Sequence, residues 1–221
     1  ITPILPIDYK SLEKDANYYL LQKACDTAIQ TENMAFSFLD SQFNSQFYKE
    51  GDFNTEVAYF KDGTRVIDNL IYKEKQYCNG RGVLSSTIIN LPRIALKHRE
   101  NIETFYDELN EKIELVCDQL LERVDIQSNK KVYNFPFLMK QNVWIDSEKL
   151  REDDRVKRIL RQGVMQIGFT GLNECVTALT GKGLADSKKA QNIGMDIVTK
   201  MQEKANEQSR KYNYSFLLAG I

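Results

Sequence analysis

Histidine is nearly missing from this sequence: His98 is the only one among 221 residues. A multi-histidine metal site is thereby excluded, and a Ser-His-Asp machine would have to be built around this one imidazole. The context KHRE places His98 near a helix start, where a structural role is the plainer reading. Cysteine is also sparse, with Cys25, Cys78, Cys117 and Cys175 far apart. No CxxC pair suggests zinc, and no dense frame suggests a small secreted domain. Cys117 and Cys175 fall in helical patterns and read as buried apolar fillers. No apolar run is long enough for a membrane span, and no charged leader precedes a hydrophobic stretch. Nor is there an excess of either charge: Lys+Arg 30 against Asp+Glu 31 gives a net −1. That balance argues against nucleic acid or an anionic membrane as partner, and the chain is expected to be cytoplasmic. An initiator Met is absent from ITPILP, and the last residues, NYSFLLAGI, read as a buried strand. Both ends lead us to expect an excised or truncated piece of something larger.

What is present is ordinary globular composition, 42% apolar and 28% charged, in a length suited to one core. Pro3 and Pro6 make the start extended. A helix is expected from about Asn17 to Glu32, then a short strand in Met34 to Asp40. The stretch Glu56 to Asn69, EVAYFKDGTRVIDN, alternates around Asp62-Gly63 and reads as a β-hairpin. Val83 to Leu91 is a β-branched strand closed by Pro92. The longest helix runs from about Glu100 to Val124, with an apolar stripe at three- and four-residue steps. A short charged helix, Arg155 to Arg161, precedes a buried strand, Met165 to Gly171, and a helix over LNECVTALTGKG. Asp186-Ser187 caps a last helix, Lys188 to Tyr212, before the closing strand. Strands separated by helices imply an α/β fold with parallel strands and helical crossovers.

Four stretches go beyond this generic pattern: FSFLDSQFNSQFYK with TEVAYF; GRGVLSSTIINLPRIALKH; VWIDSEKLREDDRVKRILRQGVMQIGFTGLNECVTALTGK; and SRKYNYSFLLAG. In this order and spacing they resemble the central part of the anaerobic (class III) ribonucleoside-triphosphate reductase catalytic subunit. The resemblance covers nearly the whole chain. It implies part of a ten-stranded α/β barrel, made of two five-stranded parallel halves set antiparallel, with a finger loop between the halves that threads into the barrel. On that template the chain is a single segment. Residues 1–60 end the first half-barrel, 61–82 form the finger loop or hairpin, and 83–221 supply an incomplete second half.

The resemblance also implies a reaction: radical reduction of ribonucleoside triphosphates to deoxyribonucleotides for DNA replication. A cysteine at the finger tip becomes a thiyl radical, generated by a glycyl radical that a separate radical-SAM activase installs. Formate supplies electrons, ATP and dNTPs are effectors, and a zinc site lies in the C-terminal region. The 221 residues contain neither the glycyl-radical segment nor that zinc region, so no cofactor is expected in this chain.

Family finger loops read like EVAYMGCRTRV. Laid without gaps on EVAYFKDGTRV, the radical cysteine falls on Asp62, flanked by Lys61 and Gly63, while Thr64 and Arg65 match. The family's substrate-facing asparagine after GRG is here Val83. A carboxylate cannot relay a hydrogen atom as a thiol does, so this chain is expected to be catalytically silent. Buried in a barrel, Asp62 would need a cation such as Lys61 or Arg65. As the turn of a solvent-facing hairpin, the favoured reading, it would not. Cys78 is the nearest alternative thiol, on the return limb. Candidate substrate-binding residues are Ser85 and Thr87, which share one strand face opposite Ser86, together with Arg93 and Gly171. Gly171 opens a helix whose free N–H groups suit a phosphate, and Glu174 reads as a favourable dipole charge. Asn90 and Arg93 are expected to hold the strand end. Expected partners are nucleotides, the family activase, and either a second copy or the missing remainder of the chain. The competing reading is a non-enzymatic relative that binds nucleotides or pairs with a complete subunit.

Overall fold

The computed structural model describes residues 4–7, 18–31, 35–57, 59, 69–70, 72–77 and 79–220. The chain divides into two compact units, Ile1–Asp68 with Glu74–Asn79, and Asn69–Lys73 with Gly80–Ile221.

In the first unit, β1 (Ile4–Ile7) pairs in parallel with β2 (Ala35–Phe38), and α1 (Tyr18–Thr31) lies between them in sequence. No residue of α1 is buried, although Tyr18, Leu20 and Ile29 are apolar and exposed. Ser41 caps the short α2 (Gln42–Ser45) by accepting from the Asn44 N–H. The Ser37 and Tyr59 hydroxyls are hydrogen-bonded to each other. Most of the expected hairpin, Ala58 and residues 60–68, lies outside the described residues.

The second unit is a three-stranded parallel sheet in the order β3-β4-β5, formed by Val83–Asn90, Val164–Thr170 and Ser215–Gly220. Between β3 and β4 come α3 (Leu91–Lys97), α4 (Ile102–Ser128) and α5 (Lys157–Leu160). Between β4 and β5 come α6 (Leu172–Thr180) and α7 (Lys188–Tyr212). Parallel neighbours require such crossovers, because a tight turn cannot return the chain to the same end of the sheet. The α/β fold with parallel strands and crossover helices is therefore present as expected.

One sheet face carries the core. Ile89, Met165, Ile167 and Phe216 point into it and meet the α4 stripe of Phe105, Leu109, Ile113, Cys117 and Leu120, with Ile197 and Met201 from α7. Alternation puts Ser86, Ile88, Gln166 and Leu217 on the opposite face, where Ile88 is 51% exposed. A second small core gathers Val132, Met139, Trp144, Val156, Ile159 and Leu160 in the segment ahead of β4. The Trp144 indole N–H donates to the Ile159 carbonyl at 3.0 Å, so the buried ring keeps its polar atom satisfied.

Two details depart from expectation. Val83 to Leu91 was expected to be all strand, yet Leu91 already begins α3. Asn90 caps that helix, its Oδ1 accepting from the Arg93 N–H at 3.0 Å, and Pro92 sits in the first turn, where its missing N–H costs nothing. His98, expected at a helix start, instead ends α3 as its C-cap. Two expected caps are present: Ser187 accepts from the Ala190 N–H to open α7, and Gly181 closes α6 at φ 75°.

Candidate functional site

In parallel α/β sheets ligands gather beyond the carboxyl ends of the strands, where helices begin. Here that edge consists of Asn90, the Thr170-Gly171 corner and the end of β5. Gly171 takes φ 75° as the N-cap of α6, and a Cβ placed on it would lie 2.4 Å from Pro92 Cγ. The starts of α3 and α6 therefore touch at Pro92 and Gly171, and Arg93, exposed on α3, is the residue after Pro92. Glu174 folds back toward this corner, its Oε2 3.6 Å from the same Cβ position. Its carboxylate already complements the helix dipole, and a phosphate seated there would face a like charge. An open cleft of about 610 Å³ runs along α6, lined by Arg99, Asn173, Glu174, Thr177, Ala178 and Gly181. No group of three or more metal-ligating side chains occurs among the described residues.

Ser85 and Thr87 lie elsewhere. Both hydroxyls accept from Arg123 Nη1 of α4, at 3.2 and 3.1 Å, and the same atom reaches the Ser86 carbonyl at 3.1 Å. One turn on, Gln127 donates to the Leu84 carbonyl at 3.1 Å. The pair expected to line a substrate cavity is thus held on the helix-covered face by the protein's own guanidinium, while Ser86 is exposed on the other face. Val83 begins β3 opposite Val164, at the far end from Asn90. Lys61, Asp62, Gly63, Thr64, Arg65 and Cys78 lie outside the described residues.

The GRG motif that precedes β3 has a clear structural task. Gly80 adopts φ 64° and its carbonyl accepts from the Ile145 N–H at 2.7 Å. Arg81 donates from Nε to the Gln162 carbonyl at 2.6 Å, and the Gly82 carbonyl accepts from the Val164 N–H at 3.0 Å. Gly163 is required by crowding, since a Cβ there would meet Leu84 at 2.7 Å and the Gly82 carbonyl at 2.9 Å. The GRG, WID and RQG stretches, remote in sequence, are locked together. The Gln162 side chain continues the network, donating to Asp146 Oδ2 at 2.8 Å and accepting from Asn69 Nδ2 at 3.4 Å. None of these contacts was predicted from the sequence. Only the presence of GRG and WID within the family-like stretches pointed to the region.

Glu108, Cys117 and Cys175 have structural places. Glu108 of α4 accepts from Lys97 Nζ at 2.8 Å and bonds His98 Nε2 at 2.6 Å, which ties the α3–α4 corner. The Lys97 and His98 hydrogen bonds hold its carboxyl down at about 2, from an ordinary 4.5. A depressed carboxylate stabilises the fold fully above its unfolded pKa, and that contribution is lost as pH falls through the folded one. A Glu108→Gln variant should therefore melt below the parent from neutral pH down to about pH 4.5, with the gap closing toward pH 2. Thermal melts across that range check this. Burial pushes the Cys117 and Cys175 thiols up to about 12, as suits the expected apolar fillers.

With this geometry in place, the comparisons with known proteins agree. The curated anaerobic ribonucleoside-triphosphate reductase of Haemophilus influenzae is 30% identical over 152 residues, covering 66% of this chain and 21% of its own length. That of Escherichia coli is 27% identical over 147 residues, covering 65% of this chain and 20% of its own. The chain thus spans about a fifth of the length of these relatives. The Thermotoga maritima anaerobic ribonucleotide reductase solved with citrate in its active site superposes at TM-score 0.61, with 14% identity over 97% of this chain and 34% of that one. A second solved anaerobic ribonucleotide reductase gives 0.62, with 14% identity over 97% of this chain and 30% of that one. These likenesses carry the fold. The family model for anaerobic ribonucleoside-triphosphate reductase matches residues 2–221, and the chain belongs to that family.

Proposed function

We propose that this chain is the central scaffold of an anaerobic ribonucleoside-triphosphate reductase-like polypeptide and cannot itself perform the radical step. Residues 1–60 correspond to the end of one half-barrel, 61–82 to the finger segment and 83–221 to part of the other half. The observation that carries the reading is Asp62, in the sequence position where the family's loop has its cysteine. A hydrogen relay needs a group whose radical is accessible and whose reduced form returns the hydrogen, and a carboxylate meets neither need. Val83, where the family tends to have asparagine, removes an amide as well.

Nucleotides are the ligands this reading calls for, approaching the carboxyl edge near Arg93 and Gly171. Ser85 and Thr87 would serve only if Arg123 released them. The partner is a second copy or a further length of the same polypeptide, and the setting is cytoplasmic. No helix of the described residues is long and apolar enough to cross a membrane. The test is direct: purified protein given a radical-SAM activase, formate, ATP and ribonucleoside triphosphates should yield no deoxynucleotide. Product above a no-protein control would overturn the assignment. Calorimetric heat with a nucleotide alongside absent turnover would favour the nucleotide-binding relative.

A further inference from the structure

We infer that Gln162 is a positioning residue for the segment between Asn69 and Arg81, holding both of its ends at one point. Asn69 is completely buried, Gln162 is 1% exposed and Arg81 is 7% exposed. Polar side chains so far from water are as a rule kept with their hydrogen bonds made, and here those of Asn69 and Arg81 are made to Gln162. The Gln162 amide works in two directions: Oε1 accepts from Asn69 Nδ2, and Nε2 donates to Asp146 Oδ2. Its main-chain carbonyl holds the other end through Arg81 Nε. Asn69 in turn fixes the start of the segment, because its Oδ1 accepts from the Tyr72 N–H at 3.0 Å.

The anchor behind Gln162 has contacts of its own. Asp146 sits at φ 63°, unusual for a residue with a Cβ, and is held there by Lys149 Nζ at 2.5 Å on Oδ1. Its neighbour Ile145 donates to the Gly80 carbonyl, so the turn that grips Gln162 also grips the returning chain. Residues 73 and 80 are where the chain leaves and re-enters this unit. The stretches on either side of these points thus lead back to Gln162, through Asn69 before and Arg81 after. Only an amide fits this place. A carboxylate would set two acceptors against Asp146, and an aliphatic chain would leave Asn69 Nδ2 and Asp146 Oδ2 without these partners.

All of these contacts lie within one unit, and the role of Gln162 is independent of whether the chain turns over. Its test is amide hydrogen exchange on the whole chain, comparing Gln162→Leu and Gln162→Glu with the parent. The Tyr72 and Ile145 amides should exchange at least about ten-fold faster in both variants, while Cys117 and Ile167 in the main core change by less than about two-fold. Adding Asp146→Asn to Gln162→Glu restores a donor opposite an acceptor, and should bring Tyr72 back to within about three-fold of the parent. No acceleration at Tyr72 and Ile145 would overturn the inference. So would a uniform rise at all four amides, or a double variant that behaves like Gln162→Glu alone.

Discussion

Gly171→Ala should lose about 3 kcal/mol of unfolding free energy, most of it from a collision and not from the backbone. A left-handed φ costs a residue with a Cβ about 1 kcal/mol. The added methyl would also lie 2.4 Å and 2.7 Å from Pro92 Cγ and Cδ, a ring that cannot swing aside because it is part of the first turn of α3. Either α3 or α6 must then move, and each is seated on the core through Ile94 and Ala95 or Cys175 and Val176. Gly181 supplies the control: it has the same φ of 75°, with nothing within 4 Å of its would-be Cβ. Gly181→Ala should cost only about 1 kcal/mol. Urea titrations of both variants, monitored by the fluorescence of Trp144, separate strain from crowding. Equal losses at the two sites would show that the α3–α6 contact yields easily.

The second large effect concerns α4. Leu120 is fully buried and Leu115, on the same helix, is 51% exposed. Leu120→Ala removes buried methyl groups and leaves a cavity that the surrounding packing fills only partly, for a loss of roughly 2–5 kcal/mol. Leu115→Ala should stay within about 0.5 kcal/mol. The two variants have the same helix propensity change, so the difference isolates burial. Thermal or urea unfolding measures it, and comparable losses would mean that the outer face of α4 is covered in solution.

Much of the second unit could be read from the chain alone, for reasons visible in its residues. β3, β4 and β5 are short apolar or β-branched runs punctuated by Gly171, Pro92 and Asn213. The helices α4 and α7 are long enough for their periodicity to rise above chance. The short α3 was not legible, because seven residues give too few turns for a pattern. Its one signal, asparagine two residues ahead of proline, also fits a strand stop. His98 is illegible for the same reason, because without α3 the KHRE context points only forward to α4. Alternation correctly put Ser85 and Thr87 on one face, yet it could not say which face α4 would cover. Arg123 is 38 and 36 residues from them, and no local rule reports a partner at that range. Gln162 was harder still. In RQG it looks like a solvated loop residue, and the Asn69 that explains its burial is 93 residues away.

The two donors that α4 lays on β3 bear on how the sheet can grow. A newcomer alongside β3 would want the Leu84 and Ser86 carbonyls for itself, and it would find them taken by Gln127 and Arg123. Displacing both side chains exacts a toll before any new ladder forms. Pairing at these two carbonyls is therefore opposed from within, with α4 acting as a stopper on β3.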